Sequence, residues 1–138
     1  MADDRSVSLT RLEHARFRVT NTRGGEITLG EGTTAEFTPV ELLLSAIGGC
    51  TAIDVDYLTA RRAEPAKFDV ESTAVKVKDD QGNRLTDLTV TFRVTFPDGP
   101  DGDRARAMLP RAIELSRDRL CTVSRTVALG SPVTMQTD

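Results

Sequence analysis

Residues 38–58, TPVELLLSAIGGCTAIDVDYL, constrain this chain more than any other stretch. Thr38, Pro39 and Glu41 form a helix-start signal: an N-cap, a proline at the first helical position, and a glutamate three residues after the cap. The Thr38 hydroxyl can accept from the Glu41 N–H while the Glu41 carboxylate reaches back to the Thr38 N–H. Leu43, Ile47 (with Ala46), Cys50, Ile53 and Tyr57 then recur at three- and four-residue steps. That spacing predicts one apolar helical face with Cys50 at its middle. Gly48 and Gly49 precede the cysteine, and each costs about 1 kcal/mol against alanine in a helix interior. The pair reads as a kink, or as a place where another backbone or a small molecule comes close to the sulfur. Two roles stay open for Cys50: a small hydrophobe of the core, or a reactive thiol.

The segments around this helix read mostly as strands. Residues 5–20 alternate Val7 and Leu9 with serine, and Phe17 and Val19 with Arg16 and Arg18; His14 is read as a solvated or hydrogen-bonded strand residue. A glycine turn at 21–25, which carries Arg23, leads to a second strand at Glu26 to Leu29 and a short one at Thr33 to Phe37. The helix runs from Pro39 to about Arg62, ahead of Pro65. Lys67 to Lys78 and Arg84 to Phe96 predict a hairpin, with Leu88, Val90, Phe92, Val94 and Phe96 on one face. After the loop 97–103, with Asp103 as N-cap, Arg104 to Leu120 predicts a second helix that Pro110 either kinks or delays. Cys121 closes it, and Thr122 to Thr134 is read as a final strand. Strands on both sides of a central helix, joined by hairpins, predict an α+β fold rather than a doubly wound sheet. The hairpin is expected to lay its apolar face on the helix carrying Cys50.

At 138 residues the chain is expected to form a single domain, 1–138, with one core. A net charge of −3 without a basic cluster argues against nucleic acid and against an anionic membrane as partners. The start, MADDRSVSLT, lacks a signal-peptide core, and no run of apolar residues approaches transmembrane length, so the expected location is the cytoplasm. Two cysteines in that compartment point to catalysis or redox sensing before a structural disulfide. One histidine and no Cys-x-x-Cys leave zinc without an evident ligand set.

Taken as a pair, Cys50 is the expected nucleophile and Cys121 the resolving thiol, because a helix C-terminus disfavours a thiolate at Cys121. A thiolate that attacks a peroxide becomes a sulfenic acid, which a second thiol converts to a disulfide. The thiolate needs a nearby cation. Arg23, on its glycine turn, is the candidate, with Arg125 and Arg18 next; its other reading is a solvated hairpin arginine. Glu41 is either a helix cap alone or a catalytic carboxylate. Asp54, one turn beyond Cys50, could accept a hydrogen bond near the thiol, pair with an arginine, or stand exposed.

The stretches Pro39 to Val55 (P-x-E-L-L-L-x-A-x-G-G-C-T-A-I-D-V) and Ala112 to Cys121 (A-I-x-L-S-x-x-x-x-C) resemble the OsmC/Ohr family of osmotically induced and organic hydroperoxide resistance proteins. The resemblance implies an OsmC-like α+β fold with antiparallel sheets around a central cysteine-bearing helix, in a swapped homodimer. It implies a peroxidatic Cys50 and a resolving Cys121, acting on organic hydroperoxides and less well on hydrogen peroxide. It implies no metal or flavin cofactor, and reduction by a dithiol such as a lipoylated protein. In the hydroperoxide reductases of that family the glutamate directly follows the proline; here Val40 takes that place and Glu41 comes next. One residue turns a helical side chain by about 100°, so the chain is more similar to the G-G-C-T-A-I-D OsmC-like subgroup. The alternative function is a non-catalytic stress or small-ligand-binding protein on the same fold. Thiol–disulfide exchange with protein partners is a third reading, disfavoured by the missing Cys-x-x-Cys.

Overall fold

A computed structural model describes residues 2–138. Its fold is α+β, with two antiparallel sheets and three α-helices. The chain forms two compact units, one through Leu43 and one from Leu44 to Asp138.

The first unit is a three-stranded antiparallel meander of β1 (Ser8–Glu13), β2 (Arg16–Thr20) and β3 (Glu26–Leu29). The single strand predicted over 5–20 is in fact a hairpin, turning at His14 and Ala15, where Ala15 takes φ 55°. No glycine, proline or asparagine marks that turn, so the alternating pattern reads straight through it. His14 is therefore a turn residue. The next turn forms where its glycines predict, with Asn21 Oδ1 accepting from the N–H groups of Arg23 (3.0 Å) and Gly25 (2.8 Å). The strand expected at 33–37 reduces to one parallel bridge, Leu29 to Phe37. Arg16 holds the loop before the helix by a two-pronged contact with Glu36, Nε to Oε1 at 2.8 Å and a terminal nitrogen to Oε2 at 2.7 Å. The guanidinium keeps the Glu36 carboxyl below its ordinary range.

Helix α1 (Pro39–Ala60) begins in this unit and continues into the second. Its cap forms as the sequence predicts: Thr38 N–H donates to Glu41 Oε1 at 2.8 Å, and Glu41 N–H donates to Thr38 Oγ1 at 3.1 Å. Its buried face does not. Ile47, Thr51, Val55 and Thr59, four residues apart, are buried together with Gly48, whereas Ile53 and Tyr57 are 60% and 70% exposed. Small and β-branched residues line the packed stripe, and the larger apolar residues lie outside it. No unbroken apolar run reaches transmembrane length, yet α1 taken whole is long and apolar enough, by length and composition alone, to cross a membrane.

The second unit adds a long hairpin, β4 (Lys67–Asp79) and β5 (Gly82–Thr95). Phe68, Val70, Ser72 and Ala74 alternate inward on β4, as do Val90, Phe92 and Val94 on β5. Phe68 and Phe92 meet edge to face at 6.3 Å between centroids. An extra residue in β5 at Asp87, φ 55°, breaks the register between Thr73 and Val75 and leaves Leu88 39% exposed, outside its predicted face. The hairpin closes on α1 at Gly48, where a Cβ would lie 2.3 Å from Ser72 Oγ.

Helix α2 (Pro100–Leu115) starts four residues before the predicted Arg104, because Pro100 takes the first helical position and Gly99, rather than Asp103, is its cap. Gly102 allows this tight start: a Cβ there would fall 1.7 Å from the Pro97 carbonyl oxygen. Pro110 lies inside α2, and the helix runs through it. A π-helical turn, Ser116–Leu120, follows and is closed by Cys121 N–H donating to the Ser116 carbonyl at 2.9 Å. The predicted closing strand is instead helix α3 (Thr122–Leu129), ended by Gly130 in the left-handed region, with irregular chain beyond. Val123, Val127, Leu129 and Val133 read as strand residues by their type; the capping cysteine before them carries no sequence signature of a helix start.

Candidate functional site

Cys50 and Cys121 come together. Their sulfur atoms and a carboxylate oxygen of Asp54 all lie within 4.8 Å of one another. Three elements place them. α1 presents Cys50 and, one turn later, Asp54 on one side. The π-helical turn brings in Ser116, and the bend after it carries Cys121, whose extended backbone (φ −76°, ψ 101°) serves as N-cap of α3.

This position reverses the electrostatics expected for Cys121. The residue ends one helical segment but opens another, and its sulfur accepts the Ser124 N–H at 3.3 Å while its thiol reaches Ser124 Oγ at 3.1 Å. The N-terminal end of α3, which carries positive partial charge, faces the Cys121 sulfur, where a helix C-terminus was expected. Its next amide, Val123 N–H, donates to Cys50. One helix end thus serves both sulfurs. Accessibility still separates them: Cys121 is fully buried, whereas Cys50 is half-buried.

The Cys50 thiol is nevertheless pushed above its ordinary pKa of 9.0. Burial is the largest cause, and the hydrogen-bonded Cys121 and the charge of Asp54 add to it. The Val123 amide pulls in the opposite direction without overcoming them.

Behind the sulfurs runs a chain of hydroxyls. Ser116, fully buried, donates to Asp54 Oδ2 at 2.9 Å and lies 2.5 Å from the buried Thr51 Oγ1. Since Ser116 has one proton and gives it to the carboxylate, Thr51 is the donor to Ser116. Asp54 is therefore a hydrogen-bonded neighbour of the thiols, the first of its three readings. Ser116 belongs to the A-I-x-L-S stretch, but no local pattern signals the π-helical turn that aims it inward.

Arg23 and Glu41 belong to the first unit. Arg23 is exposed on its turn, and the Glu41 carboxylate forms the cap of α1. The reserve candidate Arg125 donates to the Asp118 carbonyl at 3.2 Å, and Arg18 stands 3.7 Å from Glu26 within the three-stranded meander.

Comparisons with known proteins place the chain in a family and a fold. A curated relative, the uncharacterized protein Rv2923c of Mycobacterium tuberculosis, is 28% identical over 84% of this chain and 83% of its own length. The crystal structure of an OsmC-like protein from Mycoplasma pneumoniae superposes with a TM-score of 0.73 at 16% identity, covering 93% of this chain and 89% of that one. The organic hydroperoxide resistance protein OhrB of Bacillus subtilis superposes with a TM-score of 0.52 at 16% identity, covering 88% of this chain and 90% of that one. The family model for OsmC-like proteins matches residues 30–136, a span holding α1, the hairpin and both cysteines, and the chain belongs to the OsmC-like family.

Proposed function

We propose that this protein is a thiol-dependent peroxidase that reduces organic hydroperoxides, and hydrogen peroxide less well. The observation that carries the reading is the approach of the Cys50 and Cys121 sulfurs to within 4.8 Å from distant parts of the chain. Cys50, the accessible member, attacks the peroxide as thiolate. Its sulfur bonds to the terminal peroxide oxygen, the O–O bond breaks, and the alcohol leaves with one proton. The Cys121 thiol then attacks the Cys50 sulfenic acid, releasing water and forming a disulfide. An external dithiol, a lipoylated protein for example, returns both cysteines to thiols as it becomes a disulfide itself. A family neighbour named for hydroperoxide resistance shares the fold, which supports this chemistry.

The exposed apolar side of α1, with Ile53 and Tyr57, supports a homodimer in which the helix is central and shielded by a second copy. An arginine, Arg23 first, then supplies the cation that lowers the Cys50 pKa. The protein works in the cytoplasm.

The non-catalytic reading draws on one observation, the raised pKa of the Cys50 thiol, which leaves little thiolate at neutral pH. Mixing reduced protein with one equivalent of an alkyl hydroperoxide separates the two. The peroxidase loses both thiols and two hydrogens in mass within seconds, and its Cys121→Ser variant stops at a Cys50 sulfenic acid. Persistence of both thiols through minutes of excess peroxide overturns the peroxidase.

A further inference from the structure

Two thiols and a carboxylate in one half-buried cluster are a donor set for a thiophilic divalent metal. We propose that the reduced protein binds one zinc ion per chain through Cys50, Cys121 and Asp54, with water as fourth ligand, and releases it when the two cysteines join in a disulfide. The inference stands on the ligand geometry and does not require the peroxidase reading.

The distances fit. Tetrahedral zinc with bonds near 2.3 Å to sulfur and near 2.0 Å to oxygen holds its donors about 3.5–3.8 Å apart. The three donor atoms already lie within 4.8 Å of one another, so closing on an ion takes movements of about 1 Å or less. Two sulfurs and one oxygen with a free position match the pattern of three protein ligands and an open site.

The surroundings behave as an outer shell. Ser116 donates to Asp54 Oδ2 and is itself fixed by Thr51, which orients the carboxylate as hydrogen bonds orient metal-binding carboxylates elsewhere. Ser124 N–H donates to the Cys121 sulfur and Val123 N–H to Cys50, and amide donors of this kind stabilise thiolates. Two thiolates and one carboxylate carry three negative charges, and a dication neutralises two of them. Without it, full ionisation of the cluster is opposed by mutual repulsion.

The proton and electron balance is simple. Zinc binding displaces one proton from each thiol, two in all, and changes no oxidation state. Oxidation removes two electrons from the sulfurs, forms the S–S bond at about 2.04 Å, and leaves neither sulfur as a thiolate donor. A two-electron thiol oxidant such as diamide takes those electrons and two protons, the equivalent of those displaced on binding, and the ion departs. Zinc would then protect the resting thiols and report their oxidation by its release.

The test uses full-length reduced protein under anaerobic conditions. Titration with cobalt(II) should give one equivalent per chain with tetrahedral d–d bands and thiolate charge-transfer absorption, and zinc should displace it. Cys50→Ser and Cys121→Ser should each cut the charge-transfer absorption per bound cobalt to about half and bind zinc at least about 100-fold more weakly, and Asp54→Asn at least about tenfold. In the unaltered protein, saturating zinc should slow alkylation of Cys50 at least about tenfold, a readout independent of how the variants fold. One equivalent of diamide, which oxidises the thiols without peroxide, should release the metal. No stoichiometric binding, unchanged affinity in Cys121→Ser, or undiminished alkylation overturns the site. Since no peroxide is present, failure here leaves the peroxidase standing, and an inert thiol pair toward peroxide leaves the zinc site standing.

Discussion

The Ser116 hydroxyl donates to Asp54 Oδ2 at 2.9 Å, across 62 residues of sequence, and so ties the π-helical turn to α1 behind the two sulfurs. Ser116→Ala removes the donor to the carboxylate and the acceptor for Thr51 in a single step. Leaving buried polar groups unpaired costs about 1–3 kcal/mol. Thr51→Val removes only the outer donor, and its expected cost is smaller, about 1 kcal/mol. Chemical denaturation of both variants checks the order, and equal costs would mean that water replaces the Ser116 contact.

Gly48 tests the packing of the hairpin on α1. An alanine there would drive its Cβ to 2.3 Å from Ser72 Oγ, while the Ser72 Cβ stands at 3.5 Å, an ordinary contact. Overpacking of this kind costs about 1–3 kcal/mol. The double variant Gly48→Ala/Ser72→Ala removes the clashing oxygen and keeps the helical gain of about 1 kcal/mol over glycine. It is expected to equal or exceed the parent in thermal stability. Gly49→Ala meets nothing within 4 Å and should be stabilising by itself.

These two glycines show how far the sequence alone reaches. Their placement beside Cys50 says that something approaches the helix, and the approach is real at Gly48 and open at Gly49. The capping box at Thr38 and Glu41 was readable because its chemistry is local, a hydroxyl and a carboxylate three residues apart. The hairpin was readable because one face is wet. The buried stripe of α1 was not: several of its apolar residues are exposed, and hydrophobicity alone cannot choose among apolar faces. Residues 122–129 read as strand for a related reason. Their helix is short and its cap is a sulfur, and its neighbour Ser116 turns inward through a π-helical turn without a local signature. The cysteine pair could be named from the sequence, but the amides that serve it could not.

The exposed side of α1 gives a test of assembly. Ile53 and Tyr57 are 60% and 70% exposed, with Leu43 at 39% and Val40 at 43% on the same helix. In a homodimer built on this helix, Ile53→Asp places a charge in an apolar interface and should convert dimer to monomer. Sedimentation velocity at micromolar protein reads the change directly. A parent chain that is already monomeric at that concentration removes the shared helix from the account.

The pH dependence of the peroxide reaction follows from the Cys50 thiol, held above 9.0 by burial first, then by Cys121 and Asp54. The thiolate is the attacking form, so below its pKa the rate grows tenfold for each unit of pH. For the chain by itself, with the pKa raised, that slope would persist from neutral pH through pH 9 without a plateau. In the dimer proposed above, where an arginine lowers the pKa, the rate is expected to level off near neutrality. Asp54→Asn removes a negative neighbour, lowers the pKa and moves the whole profile toward lower pH. The shift should be modest, because the Asp54 charge is the smallest of the causes. Stopped-flow measurement of the second-order rate between pH 6 and pH 10 supplies the profile. A plateau near neutrality would show that an arginine stabilises the working thiolate, and Arg23→Met should then abolish the plateau and restore the unbroken slope.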